Sequence, residues 1–164
     1  MNGQDIVALA RAWIGTPYRH QASVKGAGAD CLGLLRGVWR EAFGSEPAPV
    51  PAYSFDWSEP AGDERLWRAV AAHMTETPVA DMAAGKVVLF RMRTGAVAKH
   101  LGIVSQLGDH PKFIHAYSGH GVVESALSAP WLRRIVACFA FPDLSCAPDV
   151  GAPLSQENFQ NGGL

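Results

Sequence analysis

An α+β domain, with N-terminal helices packed on an antiparallel β-sheet, is the fold class the sequence predicts. Apolar residues recur at helical spacing in the first half, and short β-rich runs divided by turn signals follow Gly85. Those runs succeed one another without long helices between them, which suits antiparallel pairing and not parallel crossovers. At 164 residues the chain fits one domain with a real core.

The first helix is expected over Gly3 to Ile14, where Ile6, Leu9, Trp13 and Ile14 recur at helical spacing and Gly15 and Pro17 stop it. A loop rich in Gly, Thr and Ser runs from Gly15 to Gly28. The second helix covers Asp30 to Phe43, with Leu35, Val38, Trp39 and Ala42 on one face and Gly44 as stop. Pro47, Pro49, Pro51 and Pro60 make residues 46–60 an extended connection. A third amphipathic helix spans Asp63 to Met74. Strands are expected at Val87–Met92, Ala98–Ser105, Lys112–Tyr117, Val122–Glu124 and Ile135–Phe141. The domain is then residues 1–142. Residues 143–164 are polar, Pro- and Gly-containing and without periodicity, and read as a flexible tail whose anchors on any partner would be Leu154 and Phe159.

Composition excludes several classes. Nearly half the residues are apolar and the net charge is -1, so no basic face for nucleic acid or a membrane surface is visible. No run reaches the length of a membrane span. The N-terminal stretch carries Asp5 and Arg11 and has no basic n-region or apolar h-region, so synthesis in the cytoplasm without a signal peptide is expected. Three cysteines make no disulfide framework, and no CxxC pair supports zinc.

Cys31 is the cysteine placed for chemistry. It stands at a helix start after Asp30 and a glycine-rich loop, where free N–H groups and the helix dipole favour a thiolate and could receive an oxyanion. His100 and His115 lie on neighbouring expected strands, close enough for one imidazole to act as base and the other to fix its tautomer. Against this, a lone cysteine in an apolar helix is often core filler. Cys138 has that reading in its strand, and Cys146 falls in the tail. His20, His73, His110 and His120 have loop or surface readings. The even spacing of His110, His115 and His120 admits a metal, but neither HExxH nor a finger-type Cys/His pair is present, so no metal or other cofactor is expected.

Five blocks in order carry a resemblance: Trp13-Ile14-Gly15-Thr16-Pro17-Tyr18, Asp30-Cys31-Leu32-Gly33-Leu34, Gly85-Lys86-Val87-Val88-Leu89-Phe90, His100-Leu101-Gly102-Ile103 and Ile114-His115-Ala116. Over residues 3–142 the chain resembles the NlpC-type cell-wall peptidases, a papain-like family, and among them the compact versions found with phage tails and gene transfer agents. The resemblance implies a papain-like NlpC-type fold and a Cys-His-His peptidase that hydrolyses an amide of the peptidoglycan stem peptide. It implies Cys31 as nucleophile, His100 as base and His115 as the residue that orients it. It also implies Tyr18 as the loop tyrosine lining the oxyanion site, and Asp30 as the acidic residue that in relatives helps recognise a free amine.

Four positions, at three places, depart from the pattern. Leu32 stands where relatives have Ser, Gln21-Ala22 replaces a frequent glycine pair, and Lys86 replaces a frequent Asp. They leave the scissile bond open. The leading expectation is a peptidase carried at the tail tip of a phage or gene transfer agent by tail-hub proteins, acting in the recipient cell wall. The alternatives are a thiol amidase or acyltransferase on another substrate, and a structural tail subunit without turnover.

Overall fold

The computed structural model describes residues 1–54 and 62–142. The tail expected over 143–164, with Cys146, Leu154 and Phe159, lies outside the described residues, as does Pro60.

Helix α1 spans Gly3–Arg11. Its start is a capping box: the Asn2 side chain accepts from the N–H groups of Gln4 and Asp5, and the Asp5 carboxylate accepts the Asn2 N–H at 2.7 Å. The helix ends three residues before the expected Ile14, because residues 12–15 tighten into turns and Gly15 takes φ +92°. Trp13 thus leaves the helix and buries its indole against α2, Cys31–Phe43. Gly37 makes the space: a Cβ there would sit 2.0 Å from the Trp13 ring. The indole N–H donates to Glu41 at 3.1 Å.

Between these helices the loop folds into a two-stranded hairpin, β1 Ser23–Val24 and β2 Gly28–Ala29, too short to show as alternation in the sequence. Helix α3 is Arg65–Ala71, shorter than the expected Asp63–Met74. The chain then adds β3, Thr75–Thr77, a three-residue strand whose pattern is mostly exposed and carries no periodic signal.

The expected strands follow as β4 Val87–Phe90, β5 His100–Gln106, β6 Lys112–Tyr117, β7 Gly121–Ala126 and β8 Ile135–Ala140. With β3 they form one antiparallel sheet in the order β3-β8-β4-β5-β6-β7. Alternation divides its residues between two cores. Leu89, Leu101, Ile103, Ile114 and Phe139 face α1 and α2, and join Ile6, Trp13, Leu34, Val38 and Leu66. Val88, Phe90, Val104, Phe113 and Cys138 face the other way, where the short helix α4, Ala129–Leu132, lays Trp131 over them. Cys138 is fully buried there, as core packing requires.

Candidate active site

Asp30 is the N-cap of α2, and Cys31 is its first helical residue. The Asp30 carboxylate is 3 % exposed and well supplied with donors. One oxygen accepts the Gly33 N–H at 2.7 Å; the other accepts the Gln21 N–H at 2.7 Å and the Tyr53 hydroxyl. Gly33 allows the loop to lie this close, since a Cβ there would meet the Ala22 carbonyl oxygen at 1.8 Å. Tyr18 is brought alongside by a parallel bridge with Ala29. Its phenol is pushed up to about 12 by burial, with Cys31 and Asp30 adding to the shift. The thiol, the carboxylate and Tyr18 therefore share one small region.

The Cys31 thiol points at β5. Its Sγ lies 3.9 Å from the Lys99 carbonyl oxygen, and the Leu101 N–H is among the groups that favour its thiolate. The sulfur thus rests against the backbone on both sides of His100, the residue that opens β5. The His100 ring lies beside Phe90, Trp131 and Tyr117.

His115 on β6 meets the His100 ring. His100 Nε2 and His115 Nδ1 are 2.8 Å apart, and His115 Nε2 lies 2.9 Å from Ser125 Oγ on β7. One proton can be shared at each step, so the three side chains form a hydrogen-bonded row across three strands. With Nε2 committed to His115, Nδ1 is the His100 nitrogen left to take a proton. Gly102 makes room for this row: a Cβ there would stand 2.7 Å from the Phe113 ring and 3.2 Å from the His115 Cβ. Trp131 closes over both imidazoles, 5.8 Å from one ring and 5.2 Å from the other.

Electrostatics differ from the expectation of a helix-start thiolate. Burial, and then the Asp30 carboxylate, push the Cys31 thiol up to about 12, although the N–H groups of Leu101, Leu32 and Cys31 pull the other way. Desolvation and the neighbouring carboxylate win over the helix terminus. Burial, helped by His115, lowers His100 to about 3, and burial, helped by His120, lowers His115 to about 4. The resting site therefore holds a neutral thiol and two neutral imidazoles.

Ser125, Trp131 and Tyr53 join this neighbourhood from positions that the sequence does not mark, and Gly102 joins it from the His100 block. His20, read as a loop histidine, sits with Nδ1 3.8 Å from Asp30 and Nε2 3.0 Å from the Tyr53 carbonyl oxygen. Ser125 stands across from Phe113 in the β6–β7 register, two residues from His115 and on its face, a placement that exists only once the strands pair. Of the evenly spaced histidines, His115 has both nitrogens engaged, by His100 and Ser125. Among the described residues, no three His, Cys, Asp or Glu side chains gather as a metal would require.

A helix-start cysteine set against a strand that opens with a histidine, with a second polar residue on the next strand, defines the papain-like class of thiol-hydrolase fold. Within that class the chain belongs to the NlpC/P60 family, whose pattern matches residues 15–139. It is 30% identical over 122 residues to the murein DD-endopeptidase MepS/murein LD-carboxypeptidase of Escherichia coli (strain K12), a match covering 74% of this chain and 53% of that protein. The chain thus spans about half the length of the curated relatives it matches. Among solved structures, the NlpC/p60 domain of the peptidoglycan hydrolase SagA superposes with a TM-score of 0.58 at 24% identity, covering 86% of this chain and 100% of that one. An NlpC/P60 family protein from Bacillus cereus ATCC 10987 gives 0.57 at 15% identity, over 86% of this chain and 40% of the other. These structures establish the fold: mixed helices and an antiparallel sheet, as the sequence predicts.

Proposed function

We propose that this chain is a cysteine peptidase that hydrolyses an amide bond in peptidoglycan stem peptides. The observation that carries the reading is the His100–His115 pair at 2.8 Å beside a thiol seated on the Lys99–Leu101 backbone. Cys31 is the nucleophile. His100 takes the thiol proton through Nδ1, and His115, itself held by Ser125, keeps the imidazole in the tautomer that leaves Nδ1 unprotonated. Since thiol and imidazole start neutral, proton transfer accompanies attack on the carbonyl. The tetrahedral oxyanion is received at the start of α2 and by the Tyr18 hydroxyl, which stays protonated at all working pH values. Collapse expels the amine with the proton carried by His100, and water then hydrolyses the thioester with His100 as base. Asp30 holds the helix start and its loop in register.

The family, and the names of the relatives as murein and peptidoglycan hydrolases, support the substrate class. The test is mass spectrometry of defined muropeptides incubated with the protein. Products from one stem amide, lost in Cys31→Ala, are expected; intact muropeptides with correctly folded protein would sink the reading in favour of another thiol amidase or acyltransferase substrate.

The finer reading, that the enzyme rides on the tail tip of a phage or gene transfer agent and acts in the recipient wall, is supported by the sequence resemblance alone. It predicts that the protein sediments with purified particles and that tail-hub proteins co-purify with it. Recovery only in particle-free fractions would remove it.

A further inference from the structure

Tyr53 lies 22 residues beyond Cys31, on the proline-rich connection, yet its hydroxyl and its carbonyl both reach the loop and carboxylate beside the thiol. Its hydroxyl donates to Asp30 Oδ2, while its backbone carbonyl accepts from the Gln21 side-chain amide at 2.5 Å and pairs with His20 Nε2 at 3.0 Å. The His20 ring stands edge-on to the phenol at 5.2 Å. Gln21 is the one non-glycine residue among those described with positive φ, +63°. A left-handed glutamine is strained where a glycine would not be, and it persists where its own contacts over-determine the turn. Here those contacts are the N–H on Asp30 and the amide on Tyr53. The strained turn and the distant tyrosine thus hold one another on the same carboxylate.

A carboxylate offers about four acceptor positions. On Asp30 three are taken, by Gly33, Gln21 and Tyr53, and His20 Nδ1 stands at 3.8 Å. Two of the donors are backbone N–H groups that α2 and its loop cannot give up without unfolding locally. The phenol is the removable one. Its place is the one that an ammonium group can take over on Asp30, with His20 standing by the remaining one, whereas a neutral amide needs no place there. Beside this position the chain carries Leu32, buried and without a polar atom to offer an amine.

We propose that Tyr53 is a specificity-determining residue: by occupying Asp30 it tunes the site toward stems whose terminal nitrogen is acylated and against stems with a free amine. This rests on the peptidase reading above. With Tyr53 seated, the group next to the scissile bond on the Asp30 side is neutral, as in a stem still joined to its glycan.

The test compares kcat/KM for a stem tetrapeptide with a free amine against its N-acetylated twin, in the wild type, Tyr53→Phe and Gln21→Gly. The wild type should favour the acetylated peptide. Tyr53→Phe should raise the amine-to-acetyl ratio about tenfold, the worth of one hydrogen bond to a charged group. Gln21→Gly keeps the turn's φ without strain and should move the ratio the same way. A ratio unchanged in both variants, including equal loss on both peptides, overturns the proposal and leaves Tyr53 a packing residue. Cleavage of neither peptide by the wild type removes the peptidase reading, and the proposal is then decided on Cys31 itself. The rates of its modification by 2-aminoethyl methanethiosulfonate and by neutral methyl methanethiosulfonate are followed at Cys31 by mass spectrometry. Tyr53→Phe should raise the cationic-to-neutral ratio about tenfold. An unchanged ratio refutes the proposal independently of turnover.

Discussion

The two sides of the candidate site are built by different physics. On the helix side, Asp30, Cys31 and Tyr18 are placed by local structure: an N-cap, a helix start and a short bridge to Ala29. Polar groups there are paired with backbone donors, and Asp30 gathers N–H groups from both its helix and its loop. On the sheet side, His100, His115 and Ser125 come from three strands and meet only through register, under an aromatic cover of Phe90, Phe113 and Trp131. One side anchors a negative group among dipoles; the other keeps imidazoles neutral by excluding water. The division explains why burial moves Cys31 up and the two histidines down, since in each case it is the charged form that is disfavoured.

The comparison is broken most severely by deleting one proposed reacting group from each side. Cys31→Ala should abolish muropeptide cleavage, and His100→Ala should lower kcat by about 10²–10⁴-fold. His115→Asn should retain more activity than His115→Ala, because an amide can still hold Nε2 of His100. Steady-state kinetics decide this, and equal values for the two His115 variants would show that position not to orient the base.

The opposite pKa shifts sharpen the comparison through stability. His100 and His115 are depressed from 6.5 to about 3 and about 4, so their contribution is complete above pH 6.5 and lost as pH falls through the folded values. Cys31 is raised from 9.0 to about 12, so its contribution is complete below pH 9.0 and lost as pH rises toward 12. A plot of Tm against pH should form a plateau between those limits. Cys31→Ala should flatten the alkaline arm near its onset, leaving the acid arm intact, while His100→Gln should do the reverse. Alkylation of Cys31 should accelerate through the alkaline range in parallel; a rate plateau at mildly acidic pH would show the thiolate to be preformed.

Two glycines probe the same division by sterics. Gly33→Ala drives a Cβ into the Ala22 carbonyl, and Gly102→Ala drives one toward Phe113 and His115. Each should cost about 1–3 kcal/mol in denaturant unfolding. Gly33→Ala strains the Asp30 loop, whereas Gly102→Ala shifts His115 and should lower kcat beyond its effect on stability. The smallest effect is expected from Ser125→Ala. It removes one neutral hydrogen bond to His115, worth about 0.5–1.5 kcal/mol, and should lower kcat by about tenfold or less without changing KM.

Sequence alone determined the elements that local rules govern. An apolar helical run directly after a glycine-rich loop and Asp30 placed Cys31 at a helix start, and α2 begins there with Asp30 as its N-cap. Short β-rich runs between turn signals located β4 through β8 to within about two residues. The Cys31, His100 and His115 blocks were legible because each motif is contiguous. What escaped was set by contacts distant in sequence. The strand β3 exists because β8 offers it an edge, with Thr75 opposite Ala140. Tyr53 reaches Asp30 across 23 positions, and Ser125 meets His115 only once β6 and β7 are in register. The thiol's ionisation was likewise beyond local reading. A helix start favours a thiolate wherever it lies, but only the packed structure determines whether water reaches it. Here the tertiary structure buries Cys31 beside a carboxylate, and desolvation outweighs the dipole.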